Sequence, residues 1–344
     1  MWIIRSMRVP RVAAWVLALT LVCAGLTHSP AVSSGAVHPG APYAVGKLAI
    51  VVREPSSGAT AERSFTAIVR YPALGRAGNV AAGLPPMRGA NKFPLLVFSQ
   101  GYDMSPEAYA GLLDAWASAG YVVADPFYLF TTPGQPGGVN RADIVRHPTD
   151  LRFTISRLIA LADQPHGVLS GLVNADEIGI VGQSDGGDVS LAVAASSCCR
   201  DVRVSAAVIL SGAELAWFPG SYFTTRALFT SPFPSTSPPL LVVQGTDDYV
   251  NPPSCSTALY NRAPEPKYYL SLQGQDHLSA YLPPGAARNV VASTTIVFFD
   301  AYLRHSRHAL SALRRVGNRP GLASITGAER VAPAVGGCPD APVQ

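Results

Sequence analysis

The fold of this 344-residue chain is decided by the stretch Ile178-Gly179-Ile180-Val181-Gly182-Gln183-Ser184-Asp185-Gly186-Gly187. The apolar run that opens it is typical of a buried strand, and residues 187–195 continue as a helix. Between the two lies a Gly-x-Ser-x-Gly pentapeptide, whose glycines allow a sharp turn between a closely packed strand and helix. Such a turn presents the Ser184 hydroxyl at a helix N-terminus, where backbone N–H groups are free. The alternative is an ordinary N-cap serine.

Apolar runs alternate with helical patterns on both sides of this turn. A hairpin is expected over 48–53 and 65–71, and further strands at 95–98, 121–124, 178–181, 206–210, 240–243 and 268–272. Helical spacing covers 106–119, with Ser105 as N-cap and Gly120 as stop, and also 150–162, 187–195, 286–304 and 309–315. This alternation predicts an α/β fold with a mostly parallel twisted sheet and helices on both faces.

The composition agrees with one large folded domain. Hydrophobic residues make up 48% of the chain and charged residues 14%, which excludes a disordered chain. The net charge is +4 and no Lys/Arg run exceeds two residues, so no nucleic-acid partner is expected. We divide the chain into a signal segment (1–30), a linker (31–45), a catalytic domain (46–318) and an irregular tail (319–344), and we expect a monomer.

The N-terminus has the pattern of a secretory signal. Arg5, Arg8 and Arg11 precede an apolar run over 12–26, and polar residues follow from Thr27. A spanning helix needs about 20 apolar residues, so a cleaved signal is favoured over an uncleaved anchor. The protein is expected to be secreted or associated with the cell envelope, without an integral span in its mature form. Lipid attachment at Cys23 is disfavoured, because a bulky valine precedes it.

Four cysteines remain after such a signal: Cys198, Cys199, Cys255 and Cys338. An even number in an exported chain suggests disulfides. Because adjacent cysteines bond to each other only through a strained ring, we expect Cys198 and Cys199 to reach out separately, one to Cys255 and one to Cys338. The sequence does not choose between the two pairings, and buried free thiols are the alternative.

A serine hydroxyl is a useful nucleophile only when a base accepts its proton. His277 is the candidate base, because it follows the last predicted strand at the edge where open α/β sheets place their active sites. A carboxylate must orient the imidazole. The turn after 240–243 offers two, of which we prefer Asp248 and keep Asp247 as the second choice.

An oxyanion hole requires two N–H donors. The first candidate is the backbone N–H of Asp185, the residue after the nucleophile. The second is the backbone N–H of Tyr102, in the loop Ser99-Gln100-Gly101-Tyr102 that follows the strand at 95–98. The Tyr102 ring would form one wall of the acyl pocket, or alternatively pack over its own loop.

With these residues in place, the chain resembles the α/β-hydrolase superfamily over about residues 45 to 305, in the branch that includes dienelactone hydrolases, platelet-activating-factor acetylhydrolase-like esterases and bacterial cutinases. The resemblance rests on the order Ser184, Asp248, His277 and on the blocks at 94–102, 112–125, 182–186 and 245–252. Two residues depart from the pattern. Gln100 stands where the family has a histidine, and Asp185 places an acid after the nucleophile, whose charge is expected to disfavour anionic substrates.

Two aromatic-rich connections predict the substrate pocket. One is Phe127 to Phe130, and the other lies within 213–239, which is too short for a large lid domain. We assign substrate binding to Gln100, Phe127, Trp217 and Phe218. The alternative is that these aromatic side chains form a small satellite core.

The sequence thus predicts a secreted serine hydrolase that cleaves carboxylic esters, with an apolar acyl group or a lipid- or polyester-like substrate, through an acyl-enzyme on Ser184. A perhydrolase with the same triad is an alternative, and so is a non-catalytic cell-surface binding protein on a hydrolase scaffold. The chain has neither a G-x-x-x-x-G-K-[ST] nor an H-E-x-x-H motif, so no cofactor and no metal are expected.

Overall fold

The computed structural model describes residues 42–56, 62–89, 92–134, 138–212, 233, 236–332 and 334. Its strands in these ranges are β1 (Ala44–Glu54), β2 (Arg63–Ala73), β3 (Val80–Ala82), β4 (Phe93–Ser99), β5 (Val122–Pro126), β6 (Val173–Gln183), β7 (Val204–Leu210), β8 (Leu240–Gly245), β9 (Lys267–Leu272) and β10 (Ala323–Gly327). They form one sheet in the order β10-β9-β8-β7-β6-β4-β5-β2-β1-β3.

The described α-helices are α1 (Ala110–Ser118), α2 (His147–Ala162), α3 (Asp185–Ala195), α4 (Pro253–Arg262), α5 (Ala286–Tyr302) and α6 (Arg307–Gly317). Two 3₁₀ helices, Pro106–Tyr109 and Arg141–Arg146, lead into α1 and α2. None of the helices in the described part of the chain is long and apolar enough to cross a membrane.

The centre of the sheet is parallel and is buried on both faces. Strands β5, β4, β6, β7, β8 and β9 pair in parallel, whereas the pairs β1–β2, β2–β5 and β9–β10 are antiparallel. Because side chains alternate along a strand, Leu95 and Val97 of β4 belong to the core cluster that includes residues of α2, α3 and α4, while Leu96 and Phe98 belong to the cluster that includes residues of α1, α5 and α6. The predicted α/β-hydrolase fold, with a mostly parallel sheet and helices on both faces, is therefore confirmed.

The register of the parallel strands brings several loops to one edge. Ser99 at the end of β4 is paired with Gly182, and Gln183 at the end of β6 is paired with Leu210. Gly245 at the end of β8 is paired with Leu272 at the end of β9. The loops that follow β4, β6, β8 and β9 therefore leave the sheet side by side, and this edge is the one on which parallel sheets place their sites.

The predicted domain boundaries were inexact at both ends. Strand β1 begins at Ala44, inside the expected linker. The tail was expected to be irregular from residue 319, but Ala323–Gly327 adds to the edge of the sheet by pairing with β9. Helix α4 and strand β3 were not predicted either. The expected signal segment and residues 335–344 lie outside the described residues.

The expected pairing of the cysteines was wrong for the adjacent pair. The sulfur atoms of Cys198 and Cys199 are bonded to each other, with their Cα atoms 3.7 Å apart. Cys255 is also disulfide-bonded, while Cys23 and Cys338 lie outside the described residues. The two adjacent cysteines after α3 therefore form a disulfide with each other, and neither is available for the long-range disulfide that we expected.

Candidate active site

Ser184 occupies the tight turn that the sequence predicts. It lies between β6 and α3 with φ 56° and ψ −129°, a backbone conformation that is costly for a residue with a side chain. The glycines around it are needed for packing. A Cβ on Gly182 would lie 1.9 Å from the Gly186 carbonyl oxygen, and one on Gly186 would lie 2.0 Å from the Ser99 carbonyl oxygen. Crowding by backbone on both sides therefore holds Ser184 at the apex of the turn.

His277 connects Ser184 to a carboxylate. Its Nε2 lies 2.9 Å from the Ser184 Oγ, and its Nδ1 lies 2.9 Å from the Oδ2 of Asp248. A carboxylate accepts hydrogen bonds, so Nδ1 is the protonated nitrogen, and Nε2 is then free to accept the serine proton. Ser184 and His277 are each 9% exposed, which leaves a narrow access to the reacting atoms.

Of the two acids in the turn after β8, Asp248 is the one in contact with His277. The Asp248 Oδ2 accepts from the Gln244 side-chain amide at 3.0 Å in addition to His277, and its Oδ1 accepts from the backbone N–H groups of Val250 at 3.0 Å and Asn251 at 2.9 Å. Within the part of the chain that the structure describes, neutral N–H donors and His277 contact this carboxylate, and no arginine or lysine forms an ion pair with it. Asp247 is exposed and accepts from the Thr246 hydroxyl.

Gln183 and Tyr109 form a buried bracket that sequence reasoning missed. The Gln183 Nε2 donates to the His277 carbonyl oxygen at 3.1 Å and lies 3.3 Å from the His277 Nε2. The Tyr109 hydroxyl donates to the Gln183 Oε1 at 2.7 Å, and it accepts from the Gly101 N–H at 3.4 Å. Burial raises the pKa of Tyr109, so its hydroxyl keeps the proton that it donates.

The bracket fixes three loops relative to one another: the loop after β4, the serine turn and the histidine loop. The single signal for it in the sequence is the position of Gln183 beside the nucleophile. Tyr109 has no signal, because it lies 74 residues earlier in the chain.

The predicted oxyanion donors belong to the residue after Ser184 and to the loop after β4. A Cβ placed on Gly101 would lie 3.1 Å from the Ser184 Cβ, so the loop containing Tyr102 passes next to the nucleophile. Among the described residues, neither the Tyr102 backbone N–H nor the Asp185 backbone N–H donates a hydrogen bond. Free N–H groups at this position are what a tetrahedral oxyanion requires.

The carboxylate of Asp185 is not free. Arg141 donates to it from Nε at 2.8 Å and from Nη2 at 2.6 Å. The same guanidinium lies over the Tyr102 ring, with its carbon 5.9 Å from the ring centroid. We had expected the negative charge of Asp185 to disfavour anionic substrates. Because Arg141 pairs with this carboxylate, the repulsion of an anionic substrate should be weaker than expected.

The predicted substrate-binding residues differ in their location and exposure. Gln100 is buried, and its amide donates to the Thr132 hydroxyl at 2.9 Å. Tyr102 is 36% exposed, and Phe127 is half-buried at the end of β5. Trp217 and Phe218 lie outside the described residues.

A second cluster of titratable groups has the composition of a cation site. Asp143, His147 and Asp150 offer ligand atoms within 4.8 Å of one another. The two carboxylates already bind Arg63, which donates to Asp150 at 3.1 and 2.8 Å and to Asp143 at 3.0 and 2.8 Å. A cation would have to displace this guanidinium, so these residues fit an internal ion pair better than a metal.

Comparison with known families gives one finding. The model of the chlorophyllase family matches residues 80–212, which is less than half of the chain. The matched part includes the loop with Tyr102 and the turn with Ser184, and it ends before Asp248 and His277. The match agrees with the α/β-hydrolase fold and supports an ester-cleaving hydrolase in general. No curated protein matches the chain significantly.

Proposed function

We propose that this chain is a serine carboxylic ester hydrolase that forms an acyl-enzyme on Ser184. The observation that carries the proposal is the continuous hydrogen-bonded chain from the Ser184 Oγ through His277 to Asp248, in which both contacts measure 2.9 Å. The match to the chlorophyllase family supports ester cleavage in general.

In the proposed acylation step, the Ser184 Oγ attacks the ester carbonyl carbon and the His277 Nε2 takes the hydroxyl proton. The carbonyl oxygen becomes an oxyanion, which the backbone N–H groups of Asp185 and Tyr102 bind. Asp248 stabilises the imidazolium through Nδ1–H. When the carbon–oxygen bond to the alcohol breaks, the His277 Nε2 returns the proton to the leaving oxygen, and the acyl group remains on Ser184.

Deacylation repeats these roles with water as the nucleophile. His277 removes a proton from water, the hydroxide adds to the acyl carbon, and the new oxyanion occupies the same two N–H groups. Collapse of this intermediate breaks the bond to the Ser184 Oγ, which recovers its proton from His277. The products are a carboxylic acid and an alcohol.

The substrate is proposed to be an ester with an apolar acyl group, of a lipid- or polyester-like kind. Tyr102 is partly exposed beside the serine, and Phe127 leaves β5 at the same edge of the sheet. The narrower resemblance to dienelactone hydrolases, acetylhydrolase-like esterases and cutinases supports the same proposal. A series of p-nitrophenyl esters tests it: kcat/KM should rise from acetate to longer chains, and a maximum at acetate would exclude an extended acyl pocket.

Acyl-enzyme formation is tested by rapid mixing with p-nitrophenyl acetate. We expect a burst of p-nitrophenol close to one equivalent when deacylation is the slower step, and trapping in acid should leave an acetyl group on the peptide that contains Ser184. A protein that neither turns over the ester nor becomes acetylated would be the binding protein named as the alternative. Product analysis with added hydrogen peroxide tests the perhydrolase alternative, which requires a peracid.

Export is proposed on the pattern of residues 1–30. Fusion of this segment to a reporter that is active only outside the cytoplasm should give activity. Its deletion should retain the protein inside the cell.

A further inference from the structure

We propose that Arg141 is a positioning residue that neutralises Asp185 and thereby keeps an uncompensated negative charge away from the oxyanion site. The inference rests on the proposed function. It assigns to Arg141 an effect on the rate of the chemical step that a purely structural salt bridge would not have.

The first observation is the geometry of the ion pair. Arg141 opens the 3₁₀ helix Arg141–Arg146 and presents two nitrogens to the two carboxylate oxygens of Asp185, at 2.8 and 2.6 Å. The Asp185 side chain is 6% exposed and that of Arg141 is 30% exposed. A bidentate pair with a buried carboxylate is the strong form of this interaction.

The second observation is the contact of the same guanidinium with Tyr102. The guanidinium carbon lies 5.9 Å from the ring centroid, on its face. Arg141 therefore touches both residues whose backbone N–H groups are proposed to bind the oxyanion. One of these residues follows β6 and the other follows β4, so a single side chain joins the two halves of the oxyanion site.

Asp185 must supply a backbone N–H to an oxygen that becomes negative, yet it carries a carboxylate of its own. An uncompensated buried carboxylate this close would repel the oxyanion, because charges interact strongly where water is excluded. With Arg141 in place the Asp185 carboxylate is paired with a cation, which reduces its repulsion of the oxyanion.

The experiment is a double-mutant cycle measured with p-nitrophenyl acetate. Arg141→Gln leaves the Asp185 carboxylate without its cationic partner, and kcat should fall roughly 10- to 100-fold, with KM changed by less than about threefold. Asp185→Asn keeps the backbone N–H and leaves the positive charge of Arg141 unopposed beside the developing oxyanion, so kcat should rise above the wild-type value. The double variant lacks both charges of the pair, and its kcat should recover to within about threefold of wild type.

Arg146 supplies the matched control. It lies in the same 3₁₀ helix, its side chain is 31% exposed, and it pairs with Glu54 at 3.3 Å rather than with a residue of the site. Arg146→Gln removes an equally exposed ion pair and should leave kcat unchanged. Arg141→Lys keeps the positive charge and loses the bidentate contact, so its kcat should lie between those of Arg141→Gln and the wild type. This variant serves as the test if Arg141→Gln folds poorly.

Two results would overturn the inference. One is a double variant no more active than Arg141→Gln, which would show that Arg141 acts as a scaffold and not through charge. The other is a kcat for Arg141→Gln equal to that for Arg146→Gln. Failure of the proposed function looks different, since the wild-type protein itself would then release no p-nitrophenol.

Discussion

Two Asp–His pairs lie in the described part of the chain, and only one of them has the surroundings of a reactive base. His277 lies between the Ser184 Oγ and the Asp248 Oδ2, at 2.9 Å from each. His147 is 3.7 Å from the Asp143 Oδ2, and its Nε2 is 3.2 Å from the Thr131 hydroxyl. Both histidines are buried, so burial alone does not distinguish the pairs.

The difference lies in what surrounds each carboxylate. Asp248 accepts from backbone and amide N–H groups, which leave one oxygen directed at the imidazole. Asp143 binds Arg63 through both oxygens, and the His147 ring is stacked on Tyr128 with centroids 3.7 Å apart. Arg63 compensates the charges of Asp143 and Asp150, so these residues form a structural ion pair. The donors to Asp248 are neutral, and its negative charge can therefore stabilise an imidazolium at His277.

The largest expected effect is the loss of the nucleophile. Ser184→Ala should lower kcat by about 10⁴-fold or more, because no other described group lies in position to attack the ester. The matched change in the second pair is Thr131→Ala, which also removes a hydroxyl bonded to a histidine and should leave kcat within twofold. Steady-state hydrolysis of p-nitrophenyl acetate measures both. Equal kcat values for the two variants would remove the distinction between the pairs.

The next effect concerns the two carboxylates. Asp248→Asn should lower kcat by roughly 10³- to 10⁴-fold, because the amide no longer favours the tautomer with a free Nε2. Asp143→Asn should leave kcat nearly unchanged and lower the melting temperature, because Arg63 loses a partner. Asp247→Asn tests the neighbouring acid and should match wild type in both measurements. Substantial activity in Asp248→Asn with a loss in Asp247→Asn would transfer the role to Asp247.

A smaller effect is expected at the bracket behind His277. Gln183→Ala removes the donor to the His277 carbonyl and the acceptor for Tyr109, and kcat should fall about tenfold as the imidazole loses its fixed position. Gln183→Glu keeps the acceptor but places a carboxylate beside Nε2, which favours the imidazolium. Its pH–rate profile should therefore have an acid limb displaced to higher pH. An unchanged profile together with an unchanged kcat would mean that the bracket only fills space.

The smallest effect on activity is expected at Arg63. Arg63→Gln leaves Asp143 and Asp150 without their shared cation, and the free energy of unfolding should fall by about 3–5 kcal/mol. The kcat of the folded fraction should not change. Thermal unfolding followed with the activity assay separates the two quantities. A loss of kcat without a loss of stability would place the Arg63 site in catalysis.

Sequence patterns predicted the features that depend on neighbours in the chain. The strand, turn and helix around Ser184 follow from ten consecutive residues, and Gly182 and Gly186 are required by the backbone atoms packed against them. Asp248 and His277 could be placed because each follows an apolar strand of the parallel sheet. These features need no knowledge of distant contacts.

The features that were missed depend on residues far apart in the chain. The Tyr109–Gln183 contact spans 74 residues and the Arg141–Asp185 contact spans 44. Strand β10 has a composition typical of a loop, and it is a strand because the edge of β9 supplies its partners. Arginine and tyrosine side chains carry no periodic signal, so the sequence gives no way to pair them before the fold is known.

Activation of the Ser184 hydroxyl by His277 underlies every step of the proposed reaction. Its most direct test is to treat the intact protein with a fluorophosphonate and locate the adduct by mass spectrometry. We expect one adduct on the peptide that contains Ser184, formed much more slowly when His277 is replaced by alanine and absent in Ser184→Ala. Labelling of another serine, or equally fast labelling of Ser184 without the imidazole, would contradict it.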